Sequence, residues 1–122
     1  MHEKKIRSRG GLALVARVRG ICGELPGVVE EIDKFGHTSF RAGKKPFVII
    51  GEEENTVGMS IKTDLDTQAA LIRQGRFERT PYIGQHGWVS LLDAKKPDWA
   101  EVEELILDAH RLVGPKKKPR AS

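Results

Sequence analysis

The chain has 122 residues, 39% of them hydrophobic and 31% charged, which fits one soluble globular domain with a single core and excludes two such domains. No apolar run approaches the length of a membrane span, and the single Cys22 excludes an internal disulfide, so we expect a cytoplasmic protein. The net charge of +4 comes from the ends: residues 1–20 carry a net +5 and residues 114–122 a net +4, whereas residues 21–113 hold eleven basic and sixteen acidic residues. Attraction to a polyanion must therefore come from the ends of the chain.

The N-terminal part is predicted to be a basic arm followed by a helix. Residues 1–11 are polar and basic without periodicity, and helical periodicity begins at Leu12. Apolar residues then recur on one face: Leu14, Val15, Val18, Ile21, Cys22 and Leu25. Pro26-Gly27 ends this helix, and Cys22 on its apolar face is interpreted as a small buried hydrophobe rather than a nucleophile.

The next part of the chain predicts an antiparallel meander. Three strands are expected at Thr38–Arg41, Phe47–Ile50 and Val57–Lys62, and Val28–Ile32 is also compatible with an extended segment. The turns between them fall at Phe35-Gly36-His37, Gly43-Lys44-Lys45 and the acidic segment 51–55. Thr63-Asp64 then caps a helix from Leu65 to Gln74, for which we predict Leu65, Ala69 and Ile72 as the buried stripe.

The C-terminal part predicts a further strand pair and the strongest helix. Tyr82-Ile83 and Trp88–Leu91 are expected as extended segments around a glycine-rich turn, with Trp88 inward. Asp98 and Glu101 form a capping box for a helix that ends before Gly114-Pro115. Its apolar face comprises Trp99, Val102, Leu105, Ile106, Ala109, Leu112 and Val113. Residues 114–122 are lysine-rich and are predicted to be a flexible tail.

These elements predict an α+β fold, an antiparallel sheet with helices packed on one face. The domain organisation that follows is a basic arm at 1–11, one domain at 12–113 and a basic tail at 114–122. We expect a monomer, and the sequence does not identify a protein partner.

The sequence contains no pattern that is typical of an enzyme or of a metal site. The four histidines, His2, His37, His86 and His110, lack metal-ligand spacing, and Cys22 has no second cysteine nearby in sequence. Ser90 has no nucleophile context, and neither a dinucleotide fingerprint nor a phosphate-binding loop occurs. We therefore expect a protein that is not an enzyme and that needs no metal or cofactor.

Nucleic acid is the partner that the charge distribution suggests, because clustered cations bind phosphates by releasing counterions. The candidate phosphate-binding residues lie in the arm, in one predicted turn and in the tail: Lys4, Lys5, Arg7, Arg9, Arg41, Lys44, Lys45, Lys116, Lys117, Lys118 and Arg120. The alternative explanation for the tails is that their charge keeps a small domain soluble. A second hypothesis is a protein-interaction or small-ligand site formed by Tyr82, His86 and Trp88.

Several short motifs occur in an order that is similar to a known family. They are Leu25-Pro26-Gly27-Val28 with Glu30-Glu31, Phe35-Gly36-His37 with Phe40-Arg41, Gly43-Lys44-Lys45-Pro46-Phe47, Lys62-Thr63-Asp64 before Leu71, Thr80-Pro81-Tyr82 with Gly87-Trp88-Val89, and Pro97-Asp98-Trp99 before Ala109-His110-Arg111-Leu112-Val113. With these motifs the chain resembles the MmcQ/YjbR family over roughly residues 12–115. That family comprises small bacterial proteins described as DNA-binding, with a fold like that of the frataxin-like CyaY proteins.

The resemblance implies a helix–sheet–helix fold in which hairpins of the sheet act as a double wing on DNA. It implies no catalytic residues and no cofactor. Iron handling by an acidic ridge, as in frataxins, is a poor alternative, because the first helix exposes Arg17 and Arg19 and only Glu24, Glu30, Glu31 and Asp33 would form a partial ridge.

Overall fold

The computed structural model describes residues 5–114. Its helices are α1 (Arg9–Cys22), α2 (Leu65–Gln74) and α3 (Trp99–Val113). Its strands are β1 (Val28–Ile32), β2 (Thr38–Ala42), β3 (Lys45–Glu53), β4 (Thr56–Lys62), β5 (Phe77–Arg79) and β6 (Trp88–Leu91). The predicted sites at Lys4, Lys116, Lys117, Lys118 and Arg120 lie outside the described residues.

The six strands form one antiparallel sheet in the order β1-β2-β3-β4-β6-β5. The first four strands are a meander, so Val28–Ile32 adds a fourth strand to the three that the sequence predicts. The chain then crosses through α2 to the edge strand β5 and returns as β6, which lies between β4 and β5. The predicted α+β class with an antiparallel sheet is confirmed.

One face of the sheet and all three helices enclose a single hydrophobic core. Residues of this core are more than nine-tenths buried: Leu14, Val15, Val18, Cys22, Phe40, Ala42, Phe47, Val48, Ile50, Met59, Ile61, Leu71, Phe77, Val89, Val102, Leu105, Ile106 and Ala109. Alternate residues of β4, Met59 and Ile61, point into it, as the alternation in the sequence predicts. The opposite face of the sheet carries smaller and more polar residues.

Helix α1 begins three residues before the predicted Leu12, because Ser8, whose N–H is held by the Glu52 carboxylate, caps it. The Ser8 side-chain oxygen accepts a hydrogen bond from the Gly11 N–H at 2.9 Å and so caps the helix. The helix therefore includes Arg9, which the sequence assigns to the arm. At α3 one half of the predicted capping box is present, because the Asp98 carboxylate accepts from the Glu101 N–H at 3.3 Å. The Glu101 carboxylate binds the Arg76 guanidinium, with a shortest distance of 2.7 Å.

The predicted buried stripe of α2 is wrong, although the bounds of the helix and its Asp64 cap are correct. Leu65 is 60% exposed, and Ala69 and Ile72 are also exposed, whereas Gln68 and Leu71 are buried. Gln68 turns inward because its side-chain amide donates to two backbone carbonyls, those of Gly84 at 2.7 Å and Trp88 at 2.9 Å. A buried carbonyl without a hydrogen-bond donor is unfavourable. The helix is therefore rotated so that Gln68 can donate to both carbonyls, and its apolar side is left exposed.

The β3–β4 connection is tighter than the acidic turn predicted at 51–55. Strand β3 continues to Glu53, so that Gly51 pairs with Gly58 and Glu53 with Thr56. Only Glu54 and Asn55 make the turn, both with positive φ, as a two-residue hairpin loop requires. The acidic residues Glu52 and Glu53 therefore belong to a strand.

The single thiol, Cys22, is 3% exposed and contributes to the core, which confirms its interpretation as a buried hydrophobe. Burial raises the pKa of the thiol to about 12, with a smaller contribution from the nearby Glu30 carboxylate. The neutral thiol is therefore the form present at physiological pH.

Candidate nucleic-acid interface and the two ends of the sheet

Turns of opposite character lie at the two ends of the sheet. The end at which Ala42 faces Lys45 holds the β2–β3 turn, Gly43-Lys44, and we call it the basic end. The other end holds the β1–β2 turn (residues 33–37) and the β3–β4 turn (residues 54–55), and we call it the cleft end. Lys45 and Glu52 are seven residues apart in β3, which corresponds to about 23 Å in an extended strand.

Arg41 is held in place at the basic end. Its Nε donates to the Ser39 hydroxyl at 3.2 Å, and its Nη1 donates to the Lys44 carbonyl at 2.8 Å, across its own turn. The Lys44 and Lys45 side chains beside it are exposed. The structure thus brings together the three predicted cations of this hairpin, Arg41, Lys44 and Lys45, and fixes one of them.

The C-terminus of α3 lies at the same end of the sheet. A ring nitrogen of His110, Nε2, is 2.9 Å from the Pro26 carbonyl, and the ring packs edge-on against Phe47 with centroids 5.5 Å apart. Pro26 comes two residues before β1, whose first residue Val28 pairs with Ala42. The chain therefore leaves the described region, at Gly114, from the end that carries Lys44 and Lys45.

The N-terminal cations lie at the cleft end. The Glu52 carboxylate accepts hydrogen bonds from the backbone N–H groups of Arg7 at 2.7 Å and Ser8 at 3.0 Å. These bonds hold the pKa of Glu52 below its ordinary value; the Ser8 N–H contributes most, followed by that of Arg7. Arg7 is thus about 23 Å along the sheet from Lys45, and Lys5 lies at the cleft end as well. Among residues 5–114, the predicted phosphate-binding residues therefore form two groups rather than one.

The three residues of the alternative site have very different environments. Tyr82 is 94% exposed with a φ of 69°, His86 is exposed, and Trp88 is 6% exposed. The first predicted extended segment, Tyr82-Ile83, belongs to the loop after β5 rather than to a strand. The inward position predicted for Trp88 is confirmed, and none of the three lines either of the two large clefts of the described surface.

The backbone carbonyls of this loop accept hydrogen bonds from residues at the end of β4. The Gly87 carbonyl accepts from the Thr63 hydroxyl at 2.6 Å and from the Thr63 N–H at 3.0 Å, and the Lys62 ammonium donates to the His86 carbonyl. Gly87 has a φ of 96°, and a Cβ there would lie 2.0 Å from the Thr63 carbonyl oxygen. The loop is therefore built to close the β4–β6 pairing, and its glycine is needed for that close approach.

A cleft that the sequence does not predict lies on the helix-free face at the cleft end. It has a volume of about 1000 Å³, and its floor is made of Ile49, Gly51, Gly58 and Ser60 on β3 and β4. The β1–β2 turn forms one wall with Phe35 and His37. The only sequence signal for this cleft is Gly58 inside the predicted strand Val57–Lys62, because Gly51 falls in the predicted acidic turn and its alignment with Gly58 depends on register.

Within residues 5–114, no group of three or more His, Cys, Asp or Glu side chains is arranged to hold a metal ion. None of the helices in this part of the chain is long and apolar enough to cross a membrane.

Comparisons with known proteins identify a family and a fold. The family model described as YjbR matches residues 23–112. A crystal structure of the Deinococcus radiodurans protein DR2400, described as a DUF419 domain, superimposes with a TM-score of 0.69 at 22% identity, over 88% of this chain and 83% of that one. Among curated proteins there is no match.

Proposed function

The chain belongs to the YjbR family, and we propose that it is a non-enzymatic protein that binds duplex DNA through the basic end of its sheet. The observation that carries this proposal is the position of the β2–β3 hairpin beside the C-terminus of α3. Exposed Lys44 and Lys45, the fixed Arg41 and Gly114, the last residue that the structure describes, all lie at this end.

Fixed and flexible cations contribute to phosphate binding in different ways. Arg41 loses little side-chain entropy on binding, because its guanidinium is already held by Ser39 and Lys44. Lys44 and Lys45 extend from a two-residue turn, where they can reach a phosphate backbone without a change in the fold. In this proposal the hairpin is the wing that meets DNA, and Lys116, Lys117, Lys118 and Arg120, which follow Gly114 in the sequence, supply further positive charge.

The cleft end is a poor partner for DNA phosphates. Glu52, Glu53, Glu54 and Asp33 are gathered around its two turns, and their charge opposes that of Lys5 and Arg7. Like charges on both partners reduce association and orient the encounter. The protein is therefore expected to approach DNA with its basic end first.

A fluorescence-anisotropy titration of a labelled duplex at low salt tests the proposal. The variant Lys44→Glu/Lys45→Glu reverses two charges in the exposed turn, and Lys95→Glu/Lys96→Glu reverses an equally exposed pair in the loop before α3. We expect the hairpin variant to weaken binding by about tenfold or more, because each lost phosphate contact removes released counterions. The loop variant should bind almost as the unmodified chain does.

The salt dependence of the same titration gives a second readout. If the three hairpin cations and the four of the tail engage phosphates, the slope of log K against log salt is about −6. The hairpin variant should reduce the magnitude of this slope by about 2. Absence of duplex binding by the full chain at 100 μM and low salt, or equal losses in the two lysine variants, would contradict the proposal.

A further inference from the structure

The cleft on the helix-free face has the size and form of a small-molecule site. Its volume of about 1000 Å³ is at the upper end of what drug-sized ligands occupy. It opens beside the β1–β2 turn, and two central strands, β3 and β4, form its floor. The floor is therefore rigid. It lies at the opposite end of the sheet from Lys44 and Lys45.

Two rings on the β1–β2 turn form its wall. Phe35 is 61% exposed, and its ring lies 6.2 Å from that of His37 at an interplanar angle of 38°. The Asp33 carboxylate holds both residues, because its Oδ1 accepts from the N–H groups of Phe35 at 2.9 Å and His37 at 3.0 Å. An exposed phenyl ring on a turn that is fixed in this way offers a preformed stacking surface.

At the centre of the floor two glycines face each other, so the strands contribute no side chains there. Gly51 pairs with Gly58, and the His37 ring lies so close to Gly51 that a Cβ would be 2.7 Å from it. Neither a close contact nor the backbone requires glycine at position 58, because a Cβ there would meet nothing within 4 Å and φ is not positive. Glycine weakens a strand interior, and it is found there where a ligand approaches the backbone closely.

The charged groups around the cleft do not converge on a site for an anion. Asp33 and Glu52 accept backbone N–H groups, and the Lys34 ammonium lies over the Phe35 ring at 5.5 Å from its centroid. The carboxylates of Asp33, Glu52 and Glu53 line the cleft together with Lys5 and Lys34, so neither sign dominates. Polar recognition is left to the His37 ring, which faces Gly51, and to the Ser60 hydroxyl, which also shares a hydrogen bond of 2.8 Å with the Ser90 hydroxyl.

We infer that this cleft binds an uncharged, planar heteroaromatic compound of the nucleobase type. The ring lies against the side-chain-free backbone of Gly58, beside the His37 ring that covers Gly51, and stacks on Phe35, while His37 and Ser60 offer hydrogen bonds to its heteroatoms. A phosphate on the ligand adds nothing here, because the charged groups of the cleft are of both signs and do not converge on one position. The inference is separate from duplex binding, which involves the other end of the sheet.

Adenosine is a suitable probe, and ¹H–¹⁵N NMR of the full chain is the measurement. We expect shifts confined to the amides of Phe35, His37, Gly51, Gly58 and Ser60 as adenosine is added. Gly58→Leu should weaken binding by about tenfold or more, because a Cβ at this position meets nothing within 4 Å and the longer side chain would occupy the cleft. Gly20→Leu, at an equally unobstructed position on α1, should leave binding unchanged.

Three results would overturn the inference: no shifts at millimolar adenosine, equal binding by the Gly58→Leu variant, or tighter binding of adenosine monophosphate than of adenosine. Phe35→Ala gives an independent variant outside the sheet, and we expect it to weaken binding by a few-fold through lost stacking. The Gly58→Leu variant should bind duplex DNA normally, so failure here is distinguishable from failure of the proposed function.

Discussion

At the basic end of the sheet the hairpin lysines stay exposed to solvent, whereas at the cleft end the charged groups mainly hold the chain together. Lys44 and Lys45 extend from their turn, and only Arg41 is fixed. At the cleft end Asp33 fixes a turn and Glu52 fixes the N-terminal segment through backbone N–H groups. The difference shows that a count of charges does not locate an interface, because some charged groups are already used by the fold.

The same comparison separates the two basic segments of the sequence. The N-terminal cations follow from a segment that Glu52 holds at the cleft end, about 23 Å along the sheet from the hairpin. Gly114, the last described residue before the C-terminal cations, lies at the basic end. Four predictions test the contrast between the two ends of the sheet, and they run from the largest expected effect to the smallest.

Trp88→Ala should have the largest effect and should act on stability. Trp88 is buried and pairs with Lys62 at the basic-end side of β4, so its removal leaves a cavity beneath the loop. We expect a loss of about 3–5 kcal/mol in the free energy of unfolding, measured by chemical denaturation. A variant that stays fully stable but loses a ligand response would instead support the predicted site at Tyr82, His86 and Trp88.

The two basic segments should contribute unequally to duplex binding when each is removed or neutralised separately. Removal of residues 115–122 should weaken duplex binding by about tenfold or more at low salt, whereas Lys5→Gln/Arg7→Gln should change it by less than threefold. Anisotropy titrations of the two variants under one salt condition give the comparison. Equal losses would mean that both ends of the sheet contact DNA, and the division would be wrong.

Gly51→Ala and Gly58→Ala should change stability in opposite directions at the cleft end. A Cβ at Gly51 meets the His37 ring at 2.7 Å, so this variant should lose about 1–3 kcal/mol. A Cβ at Gly58 meets open space, so the variant should gain about 0.5–1 kcal/mol. Thermal unfolding of both proteins is the measurement, and a loss of stability in Gly58→Ala would show that the floor is not open.

The attachment of the N-terminal segment should depend on pH. The pKa of Glu52 lies below its ordinary value of 4.5, so the stabilisation by its carboxylate is present above that value and is lost as the pH falls through the lowered pKa. Hydrogen exchange at the amides of Arg7 and Ser8 reports this loss. Glu52→Gln should remove the pH dependence, and Glu54→Gln in the adjacent turn should retain it.

Local signals predicted much of this fold. The alternation of β4 and the Asp64 and Asp98 caps depend on neighbours within a few residues, and each lies where the sequence places it. The buried stripe of α2 was not predictable in this way. Gln68 is buried because its side-chain amide donates to carbonyls sixteen and twenty residues away, and helical periodicity carries no information about such distant acceptors.

The candidate site was only partly predictable for the same reason. The hairpin cations Arg41, Lys44 and Lys45 are adjacent in sequence, so their proximity needed no knowledge of the fold. The cleft depends on the register that aligns Gly51 with Gly58 and on the turn that brings His37 over one of them. The start of α1 likewise depends on Glu52, forty-four residues after Ser8.

The buried thiol gives this chain a built-in reporter of its own opening. Cys22 is enclosed by core side chains and has a pKa of about 12, so thiol-specific reagents have neither access nor thiolate to react with while the fold is closed. Labelling then proceeds only through molecules whose core has opened, and its rate measures how often that happens. A single natural residue thus allows every variant described above to be ranked by opening frequency without an added probe.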